Sequence, residues 1–200
     1  MTGRVFIVDD DEAIRDALAW LLQSRGVAAD VFPSAEAFLA AWTPCFAGCL
    51  LLDIRMEGMS GLDLFDRLGE LGCRLPVIFL TGHGDVPMAV STLKKGALDF
   101  VEKPFNDNDL VDRVIDALEW DARQRAQDAG AASLAARMAV LTTRERQVMD
   151  LVLAGRLNKV IADALGITMR TVEVHRAHVF EKMGVKTAVE LARLLAGSQG

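Results

Sequence analysis

Carboxylate side chains follow two short apolar segments of this sequence, and a hydroxyl and an amine follow two others. Asp9 and Asp10 come directly after the first segment, and Asp53 after the second. Thr81 and Lys103 end two further segments of the same kind. Clustered carboxylates repel one another unless a cation lies among them, and an oxygen-only ligand set suits Mg²⁺ or Mn²⁺. Together with a hydroxyl and an ammonium group, this set predicts a site that receives a phosphoryl group.

Each of these residues also has an ordinary structural explanation. An aspartate after a strand usually caps a helix or a turn, and Asp11 fits that role well. A threonine at the end of a strand is normally just a strand residue, and a lysine before a proline is normally solvated. The phosphoryl-site hypothesis depends on all these residue types falling at the carboxyl ends of strands, the edge at which open parallel sheets bind ligands.

The elements that must position these residues alternate over roughly the first 120 residues. Several of the apolar segments are continuous, which is typical of parallel strands covered on both faces. The amphipathic stretches between them predict helices, and the alternation indicates a doubly wound parallel α/β sheet. The predicted strands cover residues 5–8, 28–32, 49–52, 77–80 and 100–101. The predicted helices include residues 62–71, 86–95 and 109–123, with Ser34 capping an earlier one.

The chain changes character after this α/β part. Residues 121–136 are polar and rich in alanine, which predicts a linker, or in part an extension of the preceding helix. From residue 137 to 200 there are only helical patterns, with Thr142 and Glu145 forming a capping box. Residues 158–177 have the arrangement of a helix-turn-helix, turning at Gly166. The apolar positions alone predict no more than a small helical bundle.

The net charge of −6 is divided unequally between the two parts. Residues 1–118 carry 10 Lys and Arg against 19 Asp and Glu, a net charge of −9, whereas residues 119–200 carry 12 against 9, a net charge of +3. This contrast indicates that only the second part meets a polyanion such as DNA. Three cysteines without metal-ligand spacing are typical of reduced thiols. With no targeting or membrane-spanning pattern, we expect a cytoplasmic protein with no membrane partner.

Four segments around the polar residues resemble the receiver domains of response regulators of the FixJ type. They read VDDDE from Val8, LDIRM from Leu52, LTGHGD from Leu80 and VEKPF from Val101. The resemblance covers residues 3–118 and implies a receiver domain over residues 1–120, with a five-stranded parallel sheet of order 2-1-3-4-5. It also implies a cis Lys103–Pro104 bond.

The same resemblance implies a role for each site residue. Asp53 is then the phosphoacceptor, and the metal ligands are Asp9 through water, Asp10, Asp53 and the backbone carbonyl of Arg55. Thr81 and Lys103 hold the phosphoryl oxygens, and Phe100 is the aromatic residue that turns inward when Thr81 moves. Arg55 and His83 flank the site and could tune hydrolysis of the acyl phosphate.

Glu57 departs from the receiver pattern. The family usually has Met-Pro-Gly after the phosphoacceptor, and this chain has Met56-Glu57-Gly58. Either the glutamate faces solvent without consequence, or its carboxylate alters metal affinity or phosphoryl lifetime. These alternatives stay open at the level of sequence.

The C-terminal part resembles the four-helix output domain of LuxR/FixJ/NarL-type regulators. The resemblance rests on the segments TTRERQV from Thr142, NKVIA from Asn158 and TVEVHR from Thr171. It implies that Asn158, Lys159 and Thr171 contact the DNA backbone, and that Arg170, Glu173, Val174 and Ala177 face the major groove. The exposed basic side chains and the start of the second helix add candidate phosphate contacts at Thr168, Arg176 and Lys182.

These inferences predict a FixJ/NarL-type response regulator, which is a transcription factor and not a dedicated enzyme. In this prediction, a sensor histidine kinase phosphorylates Asp53. Two copies then form a homodimer through a surface near Val90, Lys94 and Asp99. The homodimer binds double-stranded promoter DNA, and RNA polymerase is a possible further partner. Two alternatives use the same residues. One is a Mg²⁺-dependent phosphohydrolase, which the basic helix-turn-helix disfavours. The other is a phosphorelay or scaffold protein whose C-terminal part binds only protein, which salt-dependent DNA binding would exclude.

Overall fold

The computed structural model describes residues 3–82 and 86–196, with side chains at all of these except 86–89. The chain divides into two compact units, Met1–Gln124 and Arg125–Gly200. The predicted interactions of His83 lie outside the described residues. Within the described ranges, no helix is both long and apolar enough to cross a membrane.

The first unit is built on a five-stranded parallel sheet. The strands are β1 (Arg4–Val8), β2 (Ala29–Phe32), β3 (Gly48–Asp53), β4 (Val77–Thr81) and β5 (Asp99–Glu102). Their order is β2-β1-β3-β4-β5, and every neighbouring pair is parallel. The predicted doubly wound sheet and its order 2-1-3-4-5 are confirmed.

Alternate residues of each strand enter separate apolar layers on the two faces of the sheet. In β1, Val5 and Ile7 pack in one layer, whereas Phe6 and Val8 pack in the other. This two-residue alternation is the geometry of an extended strand, and burial on both faces explains the continuous apolar segments in the sequence. The polar residues that follow the strands therefore lie on a rigid edge.

Helices cover both faces of this sheet. They are α1 (Glu12–Ser24), α2 (Ala35–Ala41), α3 (Gly61–Glu70), α4 (Val86–Lys94) and α5 (Asp107–Ala139). Asp11 caps α1 by accepting from the backbone N–H groups of Ala13 and Ile14, and Ser34 caps α2. Both capping predictions are confirmed, so Asp11 takes the structural role rather than joining the acidic cluster.

Helix α5 continues through the segment that was predicted to be a linker. It spans 33 residues, to Ala139, whereas the sequence pattern indicated an end near residue 123. Alanine, arginine and glutamine, which fill this segment, are among the strongest helix formers, and their summed preference outweighs a cost of about 1 kcal/mol for Gly130. The alternative of a helical extension is therefore the one that the structure shows.

The second unit contains the part of α5 from residue 125 onward, together with α6 (Thr143–Leu153), α7 (Asn158–Leu165), α8 (Met169–Met183) and α9 (Ala188–Ala196). Gly166 has φ 63°, a left-handed conformation that ends α7 and turns the chain toward α8. Two apolar clusters hold these helices, one around Met149, Val179 and Leu191, the other around Val148 and Val172. The predicted capping box of Thr142 and Glu145 opens α6.

Candidate functional site

The strand register brings the polar residues of the first unit to one edge. Val8 pairs with Leu52, so Asp9 and Asp53 follow at adjacent positions on neighbouring strands. Thr81 is the last residue of β4, and Lys103 comes directly after β5. The Lys103–Pro104 peptide bond is cis, as expected from the sequence.

Lys103 bridges the two most buried carboxylates of this edge. Its Nζ atom lies 2.6 Å from Oδ1 of Asp53 and 2.8 Å from Oδ2 of Asp9. Asp9 and Asp53 expose only 1% and 7% of their surface. Ion pairs with so little water around them are strong only when their geometry is good, and both of these distances are those of charge-assisted hydrogen bonds.

Burial and neighbouring charge act in opposite directions on the Asp53 carboxyl. Burial raises the pKa of Asp53 above its ordinary value and Asp9 raises it further, whereas Lys103 and the Arg55 N–H oppose the rise. Burial lowers the pKa of Lys103, but the bonds to both carboxylates outweigh that effect, so its pKa is raised. Lys103 therefore remains a cation facing Asp53.

The second oxygen of Asp53 is held by the backbone. Its Oδ2 atom accepts from the N–H of Arg55 at 2.8 Å, which places Arg55 beside the acidic cluster. Asp10 is exposed and accepts through Oδ2 from the N–H of Glu57, at 2.9 Å. The predicted metal ligands thus lie along the loops that follow β1 and β3.

The donor set fits a divalent cation. Asp9, Asp10 and Asp53 carry three formal negative charges, and Lys103 supplies one positive charge in their midst. In the described residues, no three carboxylate, histidine or cysteine side chains are already arranged around a single point as a closed metal site. The ammonium group of Lys103 lies between Asp9 and Asp53 instead, and Asp10 is bonded to the loop after β3. The oxygen chemistry of these residues and their excess negative charge are those that Mg²⁺ requires.

Thr81 provides a buried hydroxyl with unused hydrogen-bonding capacity. Its side chain is fully buried, and its Oγ1 atom has no hydrogen-bond partner within the described part of the chain. Buried polar atoms are nearly always paired, because an unpaired one costs about 1–3 kcal/mol. An unpaired hydroxyl at this edge of the sheet is suited to receive an additional oxygen atom.

The predicted switch and dimer residues lie along β5 and α4. Phe100 is half-buried beside Phe79 of β4 and packs against the apolar layer that contains Phe79. Val90 and Lys94 are exposed on α4, whereas Asp99 forms an ion pair with Arg113 of α5. The two exposed residues are available to a partner, and Asp99 is already engaged within the unit.

In the second unit, the start of α8 presents polar groups to solvent. Thr168 caps this helix by accepting from the N–H of Thr171, at 3.1 Å. Arg170 exposes 86% of its side chain and lies 3.4 Å from Glu173. Lys159, Val174 and Ala177 are also exposed. These residues form one candidate surface for nucleic acid, on α8 and the start of α7.

Three of the predicted DNA-contact residues make strong bonds inside the unit. Arg176 donates from Nη1 to Oδ1 of Asn158 at 2.6 Å, which ties α8 to the first residue of α7. Lys182 donates to Oε2 of Glu145 at 2.6 Å. Asn158 and Arg176 thus fix the two helices of the helix-turn-helix relative to each other, and Lys182 is paired with Glu145 while 32% of its side chain remains exposed.

Glu145 is the main residue whose surroundings the sequence did not indicate. Its side chain is only 4% exposed, and its Oε2 atom accepts from Lys182 and from the N–H of Thr142. The Lys182 bond and the Thr142 bonds lower the pKa of Glu145 to about 2. The capping box predicted the bond to Thr142, but Glu145 and Lys182 are 37 positions apart, so no local pattern indicated the ion pair.

Two family models match this chain. Residues 5–115 match the response regulator receiver domain, and residues 139–195 match the bacterial regulatory proteins of the luxR family. The chain belongs to the response-regulator family. This response regulator combines a receiver with a LuxR-type DNA-binding domain, and it is a transcription regulator.

Similar proteins cover nearly the whole response regulator. The C4-dicarboxylate transport transcriptional regulatory protein DctR of Rhodobacter capsulatus is 50% identical over 97% of this chain and 100% of its own length. The transcriptional regulatory protein FixJ of Azorhizobium caulinodans is 47% identical, covering 96% of this chain and 92% of its own. The solved structure of the response regulator StyR is 38% identical with a TM-score of 0.92, over 98% of this chain and 100% of that one. DctR and FixJ are named as transcriptional regulatory proteins and StyR as a response regulator, not as dedicated enzymes, which opposes the phosphohydrolase alternative.

Proposed function

We propose that Asp53 accepts a phosphoryl group from a sensor histidine kinase, and that this modification controls binding of the response regulator to promoter DNA in the cytoplasm. The observation that carries the proposal is the arrangement around Asp53. A buried carboxylate faces the ammonium group of Lys103, and the unpaired hydroxyl of Thr81 lies at the same edge of the sheet.

The proposed chemistry is a displacement at phosphorus. An Asp53 carboxylate oxygen forms a bond to phosphorus while the bond from phosphorus to the kinase histidine nitrogen breaks, and the imidazole takes up a proton. Lys103 and Thr81 then bind oxygens of the new acyl phosphate. Asp9, Asp10, Asp53 and the Arg55 carbonyl would hold Mg²⁺ or Mn²⁺, which when bound supplies positive charge to offset that of the phosphoryl oxygens.

The proposed consequence is a change along β4 and β5. A new bond from Thr81 to a phosphoryl oxygen satisfies its hydroxyl and draws it toward Asp53, and Phe100 on the neighbouring strand turns into the space that this movement opens. The surface that includes Val90, Lys94 and Asp99 then becomes complementary to a second copy. Asp99 must exchange its bond to Arg113 for a bond across the interface.

The proposed DNA contacts belong to the second unit. We assign Lys159, Thr168 and Thr171 to phosphates, and Arg170, Glu173, Val174 and Ala177 to base edges of the major groove. Asn158 and Arg176 contact the DNA backbone and also hold α7 and α8 together. Lys182 contributes to DNA binding chiefly by holding the domain together through its pair with Glu145. A homodimer places two copies of α8 on two half-sites of the DNA. Because the two domains are joined, binding of the first raises the effective concentration of the second and so the affinity for DNA. RNA polymerase is the further partner expected at a promoter.

The test is DNA affinity with and without phosphorylation. Fluorescence anisotropy with a promoter fragment would be followed before and after acetyl phosphate treatment, for wild type and Asp53→Asn, over a range of salt concentrations. We expect tighter binding of treated wild type only, and an affinity that falls steeply as salt rises. Equal enhancement in Asp53→Asn, or binding that does not depend on salt, would contradict the proposal.

A further inference from the structure

The loop that follows β3 is attached to two acidic side chains through its backbone. The N–H of Glu57 donates to Oδ2 of Asp10 at 2.9 Å, and the N–H of Met59 donates to Oε1 of Glu36 at 3.1 Å. Asp10 belongs to the loop after β1, and Glu36 lies in the first turn of α2. Three separate elements therefore meet at these two bonds.

Gly58 makes this double attachment possible. Its φ of +78° is a conformation that residues with a side chain rarely adopt, and a Cβ atom there would lie 3.1 Å from Oε1 of Glu36. The turn at Gly58 lets the amides on either side of it reach different carboxylates. The Glu36 bond thus anchors the far end of the loop and keeps the Glu57 amide in place.

The attachment leaves one oxygen of Asp10 available. Oδ2 is bonded to Glu57, while Oδ1 has no hydrogen-bond donor within the described part of the chain. Asp10 is exposed, so without this bond its carboxylate would rotate freely. Binding a metal would then cost conformational entropy, because the carboxylate would lose that freedom. A donor outside the metal's own ligands commonly fixes a ligand in this way, and its loss typically weakens metal affinity about 10–100-fold.

We propose that the backbone N–H of Glu57, and not its carboxylate, is a positioning group for the metal ion. This inference rests on the proposed function, because it takes Asp10 to be a metal ligand. The amide holds Oδ2 so that Oδ1 points to the cation, and Glu36 supports the amide through Met59. Proline at position 57 has no N–H and cannot perform this role, so the glutamate matters here chiefly because it is not a proline.

The test measures metal affinity directly, without any phosphorylation assay. The full chain would be titrated with Mn²⁺, and the free ion would be followed by its electron paramagnetic resonance signal. Glu57→Ala removes the carboxylate and keeps the N–H, so it should bind within about twofold of wild type. Glu57→Pro removes both and should bind at least about tenfold more weakly.

A matched pair separates the amide from changes in backbone shape. Replacing Glu57 with the α-hydroxy analogue of alanine turns the amide into an ester without the N–H, and it differs from Glu57→Ala by that group alone. We expect the ester to lose affinity as Glu57→Pro does, and this comparison decides the matter if the proline variant does not fold. Glu36→Ala should show a smaller loss, of roughly threefold, since the loop keeps its Asp10 bond.

Each other outcome contradicts a different statement. If the ester and Glu57→Ala bind Mn²⁺ equally well, the amide has no positioning role. If Glu57→Ala loses as much affinity as Glu57→Pro, the carboxylate is the acting group and the proposal is wrong. If wild type itself binds no Mn²⁺, the metal site of the proposed function fails, and this inference fails with it.

Discussion

Lys103 donates to Asp53 across the carboxyl edge of the sheet, with 2.6 Å between Nζ and Oδ1. The same Nζ atom contacts Asp9 at 2.8 Å, so a single cation neutralises part of a buried acidic pair. This arrangement explains how the site tolerates its buried carboxylates, and it makes the stability of the receiver depend on Lys103.

Lys103→Met should destabilise the receiver by roughly 3 kcal/mol, because it leaves Asp9 and Asp53 buried without a cation. Urea unfolding at neutral pH measures the effect. Lys95→Met is a suitable control, since Lys95 forms an exposed ion pair with Asp66 at 2.8 Å. That change should alter stability by no more than about 0.5 kcal/mol. Equal effects of the two substitutions would show that the Lys103 ion pairs stabilise the receiver no more than an exposed ion pair does.

Thr81→Val should leave stability unchanged or raise it by up to about 1 kcal/mol, because it removes a buried hydroxyl that has no partner. The variant should still take up phosphoryl groups at Asp53 but should fail to dimerise in response. Unfolding and size-exclusion chromatography with light scattering check the two parts. A large loss of stability would mean that the hydroxyl already has a partner, and normal dimerisation would remove Thr81 from the switch.

Glu145 should make the DNA-binding domain sensitive to acid. Its pKa in the folded protein is about 2, below the ordinary 4.5, so its ionised form stabilises the fold fully above about pH 4.5. This contribution, on the order of 3 kcal/mol, is lost progressively as the pH falls toward 2. The free energy of unfolding of wild type should therefore exceed that of Glu145→Gln at pH 7, and the difference should shrink below pH 4.5.

Glu173→Gln controls for a general effect of removing a carboxylate, since Glu173 is exposed and only weakly paired with Arg170. Its stability should follow that of wild type at every pH. A difference between wild type and Glu145→Gln that stays constant from pH 7 to pH 3 would contradict the ion-pair explanation.

Substitutions on α7 and α8 should separate phosphate contacts from base contacts. Lys159→Ala should weaken binding to all DNA sequences. It should also reduce the slope of log affinity against log salt concentration by about one, which is the contribution of a single phosphate contact. Arg170→Ala or Glu173→Ala should instead change preference at one base pair by roughly 1–3 kcal/mol. Anisotropy titrations against a promoter fragment and its single-site variants distinguish the two. A uniform loss in all three variants would argue against base reading by Arg170 and Glu173.

The residues at the carboxyl edge of the sheet are predictable from the sequence for a physical reason. Once the apolar strands are placed, the parallel register requires Asp9, Asp53, Thr81 and Lys103 to come to one edge. Burial of both faces leaves the strands little freedom to slip, because a shift of one residue would expose a whole apolar layer. The parallel sheet and the position of these four residues could therefore be predicted from the residues alone. The strand order came from the resemblance to receiver domains, and the roles of the four residues remain predictions.

The remaining features depend on information that is not local in the sequence. The length of α5 was ambiguous because alanine-rich polar segments occur both in linkers and in exposed helices. The Glu145–Lys182 pair joins α6 to α8, and Asn158–Arg176 joins α7 to α8, so no short motif marks either pair. The bond from Glu57 to Asp10 involves a backbone amide, which every residue except proline has. The residue type at position 57 therefore shows only that such a bond can form.

The most direct test of the central claim is to locate the phosphoryl group. Wild type and Asp53→Asn would be treated with acetyl phosphate and Mg²⁺, trapped with borohydride, and analysed by peptide mass spectrometry. We predict that modification occurs at Asp53 in wild type, and that Asp53→Asn is neither modified nor driven to dimerise. Modification at a residue other than Asp53, or full phosphorylation and dimerisation of Asp53→Asn, would contradict the account.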